Sequence, residues 1–127
     1  MKLHVEELGD GATLLLHQGL GQGSWAWRYS APVFAERFRT ITFDTRGTGR
    51  SYVPDEPYGI ADFAQDAAEI LDGRAAHVAG FSMGGYVALT LALTRPELVR
   101  SLVLAGTGAG GPNRVPRPDH EIGRAHV

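Results

Sequence analysis

Ala76-His77-Val78-Ala79-Gly80-Phe81-Ser82-Met83-Gly84-Gly85-Tyr86 decides the fold of this chain. The run from Ala76 to Phe81 has the make-up of a buried strand, and Met83 to Thr94 is a strong helical segment that must stop before Pro96. Gly80-x-Ser82-x-Gly84 straddles the junction. A serine at that point has to stand on a very sharp turn with its hydroxyl free of the sheet. Glycines two residues to either side let neighbouring backbone pass without a Cβ clash. The helix that follows points its positive end at the same place, where it favours a developing oxyanion. The spacing therefore nominates Ser82 as a nucleophile, the Met83 N–H as an oxyanion donor, and Gly80 and Gly84 as the residues that make room. A serine that merely caps a helix is the competing explanation. The strand before it and the helix after it weigh against that.

Outward from this stretch, strands and helices alternate. Leu3 to Leu8 alternates loosely as a strand does, and Gly9-Asp10-Gly11 follows as a turn. Thr13 to His17 is a short apolar run of the kind buried on both faces of a sheet. After the glycine-rich loop Gly19 to Gly23, a helix through Trp25, Trp27 and Phe34 begins at Ser24, or at Ser30 with Pro32 in its first turn. Arg39 to Phe43 is a strand, Asp44 to Pro57 a loop, and Ile60 to Leu71 a helix with one apolar face, ended by Gly73. Leu102 to Ala105 is a last strand. The pattern implies an α/β fold with a mostly parallel sheet flanked by helices.

Two further segments carry a family resemblance. Leu14-Leu15-Leu16-His17-Gln18-Gly19-Leu20-Gly21 is similar to the strand and loop that supply the second oxyanion donor in α/β-hydrolases. Phe43-Asp44-Thr45-Arg46-Gly47-Thr48-Gly49-Arg50-Ser51 resembles that family's D-x-R-G-x-G-x-S loop. Together with the stretch around Ser82 they stand in the family's order, over roughly residues 3 to 118. The nearest members are esterases, enol-lactonases and carbon–carbon hydrolases with a lid domain. The resemblance implies the N-terminal portion of such a fold, truncated before the lid and the last strands. It also implies hydrolysis of an ester, lactone or similar acyl bond through an acyl-enzyme on Ser82, with no cofactor. Leu20 becomes the second backbone donor, and a one-residue slip would pass that role to Gly19. Gln18 stands where the family usually has the histidine of His-Gly-x-Gly, with His17 one residue earlier. Asp44 and Arg46 are expected to tie turns together, His17 to close a buried strand, His77 to sit in the core or at a sheet edge, and Trp25 and Trp27 to pack.

Composition narrows the partners. With 127 residues, 43% apolar and 20% charged, the chain has the balance of one soluble globular domain. A net charge of −2 offers no electrostatic reason to bind nucleic acid or an anionic membrane. No apolar run is long enough to span a bilayer. Acids in Met1 to Glu7 occupy the place of a signal-peptide core, so a cytoplasmic protein acting on a small-molecule acyl substrate is expected, its oligomeric state open. No metal motif such as H-E-x-x-H occurs. A nucleotide-binding fold is weaker: Gly19-x-Gly21 precedes Asp44 by a suitable distance, but Ser24 replaces the third glycine. Gly106-x-Gly108-x-x-Gly111 is followed by Pro112 and Pro116 where a phosphate-binding helix would start. A non-catalytic small-molecule-binding module that has lost its triad is the second alternative.

A serine nucleophile needs a histidine to take its proton and an acid to orient that histidine. In the family these follow the serine, yet after Ser82 the chain offers only Glu97, Asp119, His120, Glu121 and His126, none of which follows a further strand in the family's manner. The triad acid and histidine are thus expected outside this sequence, and the chain alone is expected to give no useful turnover. Residues 1–120 read as a partial α/β-hydrolase domain. Residues 121–127 read as a non-native tail: Ile122-Gly123-Arg124-Ala125-His126-Val127 translates ATC GGA AGA GCA CAC GTC, which resembles a sequencing adapter whose next codon is a stop. Sequencing the genomic locus checks this. A native frame that continues beyond about residue 120 is the expected result, and a natural stop after Val127 would refute it.

Overall fold

Among the described residues the strand before Ser82 is the fourth of five in one sheet, and the helix after it packs on that sheet. The computed structural model describes residues 2–108. The expected tail at 121–127, with Asp119, His120 and the prolines from Pro112 on, lies outside the described residues. The strands are β1 (Val5–Leu8), β2 (Thr13–His17), β3 (Arg39–Phe43), β4 (Ala76–Phe81) and β5 (Val99–Ala105), in the spatial order β1-β3-β2-β4-β5. β1 runs antiparallel to β3, and all other pairings are parallel. The α/β arrangement expected from the alternation of segments is therefore the one observed.

β2 is central and every one of its residues is buried, so both of its faces must be apolar. Leu15 points to one face with Ile41, Phe43 and Val78. These meet α2 (Ile60–Leu71) through Phe63, Ala67 and Leu71, and α3 (Met83–Thr94) through Val87 and Leu91. Leu15, Leu71 and Leu91 are almost wholly shielded, each worth about 1.5–3 kcal/mol of transfer free energy. Leu14 and Leu16 face the other way, against Ala31, Trp27 and Phe38. The Asp62 carboxylate accepts the Gly59 N–H at 2.8 Å at the start of α2, and Asp72 and Gly73, both at positive φ, unwind its end.

Three boundaries differ from expectation. No helix runs from Ser24 through Phe34. A 3-10 turn covers Ser24–Trp27, and α1 (Ala31–Phe34) follows with Ser30 as its N-cap and Pro32 in the first turn. Proline has no N–H to donate, so it fits the first turn and not the interior of a helix begun at Ser24. β5 begins at Val99, three residues before the expected Leu102. Arg100 and Ser101 look like loop residues, but among the described residues β5 pairs only with β4 and is largely exposed. β1 is likewise shorter than Leu3–Leu8, and its four residues are exposed.

The loop after β3 is bolted to α2. Arg46 donates from Nε and Nη2 to the two carboxylate oxygens of Asp66, both at 2.7 Å, and Asp66 is buried. This two-pronged hydrogen bond pushes the Arg46 pKa further up. Arg46→Met would leave the Asp66 carboxylate buried without its partner. We expect a loss of about 3–5 kcal/mol, read from urea unfolding midpoints, most of it recovered in the double variant Arg46→Met/Asp66→Leu.

Candidate active site

Ser82 has φ 56° and ψ −119°, a conformation that costs a non-glycine residue about 1–3 kcal/mol. Main-chain bonds hold it there. Its N–H donates to the Ala105 carbonyl at 3.0 Å, extending the β4–β5 ladder by one residue, and its carbonyl accepts the Gly85 N–H at 2.9 Å. The side chain is half-buried and makes no capping bond to α3. The glycines at the corner are needed for clearance. A Cβ on Gly80 would run into the Gly84 carbonyl oxygen, and one on Gly84 into the carbonyl oxygens of His17 and Gln18.

That last contact brings the end of β2 and its loop to Ser82. A Cβ built on Gly19 would lie 3.3 Å from Ser82 Cβ and 3.7 Å from its Oγ. The Gly19 N–H is taken by Gln22 Oε1 at 3.0 Å. The N–H groups of Leu20 and Met83 donate to none of the described residues. Leu20 is exposed, while the Met83 side chain is in the core.

Gln18, at the histidine position of His-Gly-x-Gly, and Gln22, which no motif singled out, organise this loop. Gln18 is fully buried. Its Nε2 donates to the Phe43 carbonyl at 2.9 Å and, more weakly, to the Gln22 carbonyl at 3.4 Å. Its Oε1 accepts from Trp27 Nε1 at 3.2 Å. One carboxamide thus ties the ends of β2 and β3 to the 3-10 turn. Trp27 is half-buried, as expected of a packing residue, but Trp25 is 56% exposed with the Arg28 guanidinium 5.8 Å from its ring centroid, so it is not a core residue. The 3-10 turn presents the two indoles differently from the helix expected there.

The candidate acids and histidines are engaged elsewhere. The Asp44 carboxylate is buried and accepts the N–H groups of Ser24 at 2.7 Å and Arg50 at 3.0 Å. Burial would raise its pKa, but the bonds from Arg50 and Ser24 outweigh this and hold it below the ordinary value. It brackets two turns, which leaves it poorly placed to serve as a triad acid or a ribose ligand. Glu97 is exposed and pairs with Arg95 at 2.9 Å. Of the histidines in the described residues, His4 meets Glu6, His77 meets Ser101 Oγ at 2.6 Å, and His17 bonds the Gln18 carbonyl through Nδ1 at 3.0 Å. His17 closes the buried strand as expected. Because a carbonyl only accepts, Nδ1 carries the proton, and the shielded Nε2 has no partner among the described residues. Among the described residues no three His, Asp or Glu side chains converge as a metal site would require, and no helix is long and apolar enough to cross a membrane.

A family model described as the alpha/beta hydrolase fold matches residues 12–126. A protein of Azorhizobium caulinodans, provisionally named carbamate hydrolase RutD, is 41% identical over 105 residues, which is 80% of this chain and 40% of that protein. The pimeloyl-[acyl-carrier protein] methyl ester esterase of Aeromonas hydrophila is 36% identical over 104 residues, covering 81% and 41%. Among solved structures, the enol-lactonase of Burkholderia xenovorans superposes with a TM-score of 0.79 at 28% identity, over 83% of this chain and 43% of that one. The chain spans about two-fifths of the length of the curated relatives it matches.

Burial lowers the His17 pKa from 6.5 to about 4, against the smaller upward effects of its bond to Gln18 and of Asp66. The unfolded chain therefore takes up this proton below pH 6.5, while the folded one resists until about 4. Stability from this group is whole above pH 6.5 and falls by about 3 kcal/mol as the pH drops to 4. Urea midpoints measured across that window should decline less steeply in His17→Leu than in the unsubstituted protein.

Proposed function

The chain belongs to the alpha/beta hydrolase fold family, and on that premise we propose that the whole protein is a serine hydrolase acting on an ester, a lactone or a similar acyl bond, with Ser82 as its nucleophile. The observation that carries this is the division of labour at residue 82. Its main chain is held in an unfavourable conformation by two backbone bonds, while its hydroxyl caps nothing. A serine serving only as a helix cap would show the reverse.

In the proposed reaction Ser82 Oγ attacks the acyl carbon and its proton passes to a histidine from beyond the described residues. The carbonyl oxygen, now an oxyanion, receives the N–H groups of Leu20 and Met83, which have no other acceptor in the described chain. Collapse expels the alcohol or other leaving group, which takes the proton from the histidine. Water activated by the same base then cleaves the acyl-enzyme. The names of the relatives support the substrate class. A carbamate, a methyl ester and an enol lactone all hold a carbonyl carbon bonded to a heteroatom that can leave. Among the described residues His4, His17 and His77 are all bonded elsewhere; with the triad histidine and acid expected beyond this sequence, we propose that residues 1–127 alone give no useful turnover.

An active-site fluorophosphonate should label the full-length protein on Ser82, and Ser82→Ala should abolish the label and cut ester hydrolysis by at least about 10³-fold. Labelling that survives the substitution would overturn the assignment.

A further inference from the structure

Two amides of the loop after β2, those of Gly19 and Leu20, are the candidates for the second oxyanion donor, and the Gly19 N–H is bonded to the Gln22 side chain. We infer that Gln22 is a positioning residue for the oxyanion site: it withdraws the Gly19 N–H and aims the Leu20 N–H. The inference rests on Ser82 as the nucleophile.

Gly19 to Gln22 forms a four-residue turn closed by the Gln22 N–H on the Gly19 carbonyl at 3.3 Å, with Gly21 at φ 73° in the position where such a turn needs glycine. Gln22 therefore grips both peptide planes that meet at Gly19. Its Oε1 accepts the N–H of the first plane at 3.0 Å, and its own N–H binds the carbonyl of the second. In a trans peptide the N–H points opposite to the C=O. Fixing the Gly19 carbonyl toward Gln22 thus fixes the Leu20 N–H away from it. Gly19 is the most permissive hinge a chain can have, so without the side-chain bond the two planes would turn more freely against each other. The loop lies against the reacting serine: the point where a Gly19 Cβ would sit is 3.1 Å from Gln22 Oε1 and 3.7 Å from Ser82 Oγ. A donor displaced by about 1 Å at such a place can cost about a hundredfold in rate.

The test uses the full-length protein with Gln22→Met, which keeps the bulk and loses the acceptor, and Gln22→Glu, which keeps an oxygen for the Gly19 N–H. Steady-state ester hydrolysis, affinity for a boronic acid that mimics the tetrahedral intermediate, and exchange of the Gly19 amide by NMR are measured together. Gln22→Met should lower kcat by about tenfold or more with KM within about twofold, weaken the boronate by a similar factor, and speed exchange at Gly19. Gln22→Glu should keep that exchange slow. A raised KM with unchanged kcat would make Gln22 a substrate contact and overturn the inference, as would unchanged kcat and unchanged exchange in Gln22→Met. Failure of the underlying assignment looks different: no fluorophosphonate label on Ser82 in the unsubstituted protein, which would overturn both.

Discussion

The carbonyl oxygens of His17 and Gln18 press against the Cα of Gly84 so closely that no side chain could exist there. This one approach holds the end of β2 against the first turn of α3 and so places the loop after β2 beside Ser82. Gly80, packed in the same way on the Gly84 carbonyl, lets strand and helix fold back on each other. The serine between them cannot relax toward an ordinary strand or helix conformation, because its N–H is committed to β5 and its carbonyl to α3. Packing of Leu15, Val78, Val87 and Leu91 beneath the junction supplies the free energy that offsets the local strain.

Around that junction the polar residues act as braces. Gln18 links the ends of β2 and β3, Asp44 links the turns at Ser24 and Arg50, and Arg46 reaches Asp66 on α2. Each of these side chains has its bonds met within the fold. That is the condition for burying such groups without a large penalty. His17, so near the site, is a structural element on other grounds: its proton is fixed on Nδ1 by the Gln18 carbonyl, and burial keeps the ring neutral although its Nε2 has no partner among the described residues.

Much of this was legible in the residues. Apolar runs or faces punctuated by glycine or proline mark β2, β4, α2 and α3, and Ile41 and Phe43 alternating with threonine mark β3, because a strand or helix has to be apolar where it packs. The corner at Ser82 was legible because its steric demand is local and leaves glycines at fixed offsets. The contacts of Gln18 and Gln22 were not. They depend on where β3 ends relative to β2, 25 residues apart in the chain for the bond to Phe43, and a glutamine carries no periodic signal. Trp25 misled for a related reason. Indole area argues for burial, but the 3-10 turn sets which way the ring faces. At β5, an edge position tolerates polar residues that a central strand would exclude, so its beginning was hidden.

None of the bonds that hold residue 82 uses its side chain. Scaffold and reactive atom are therefore separable, and another short polar group could replace the hydroxyl without the corner having to be rebuilt. A lineage built on this framework can drift between chemistries by exchanging one functional group, while its folding problem stays solved.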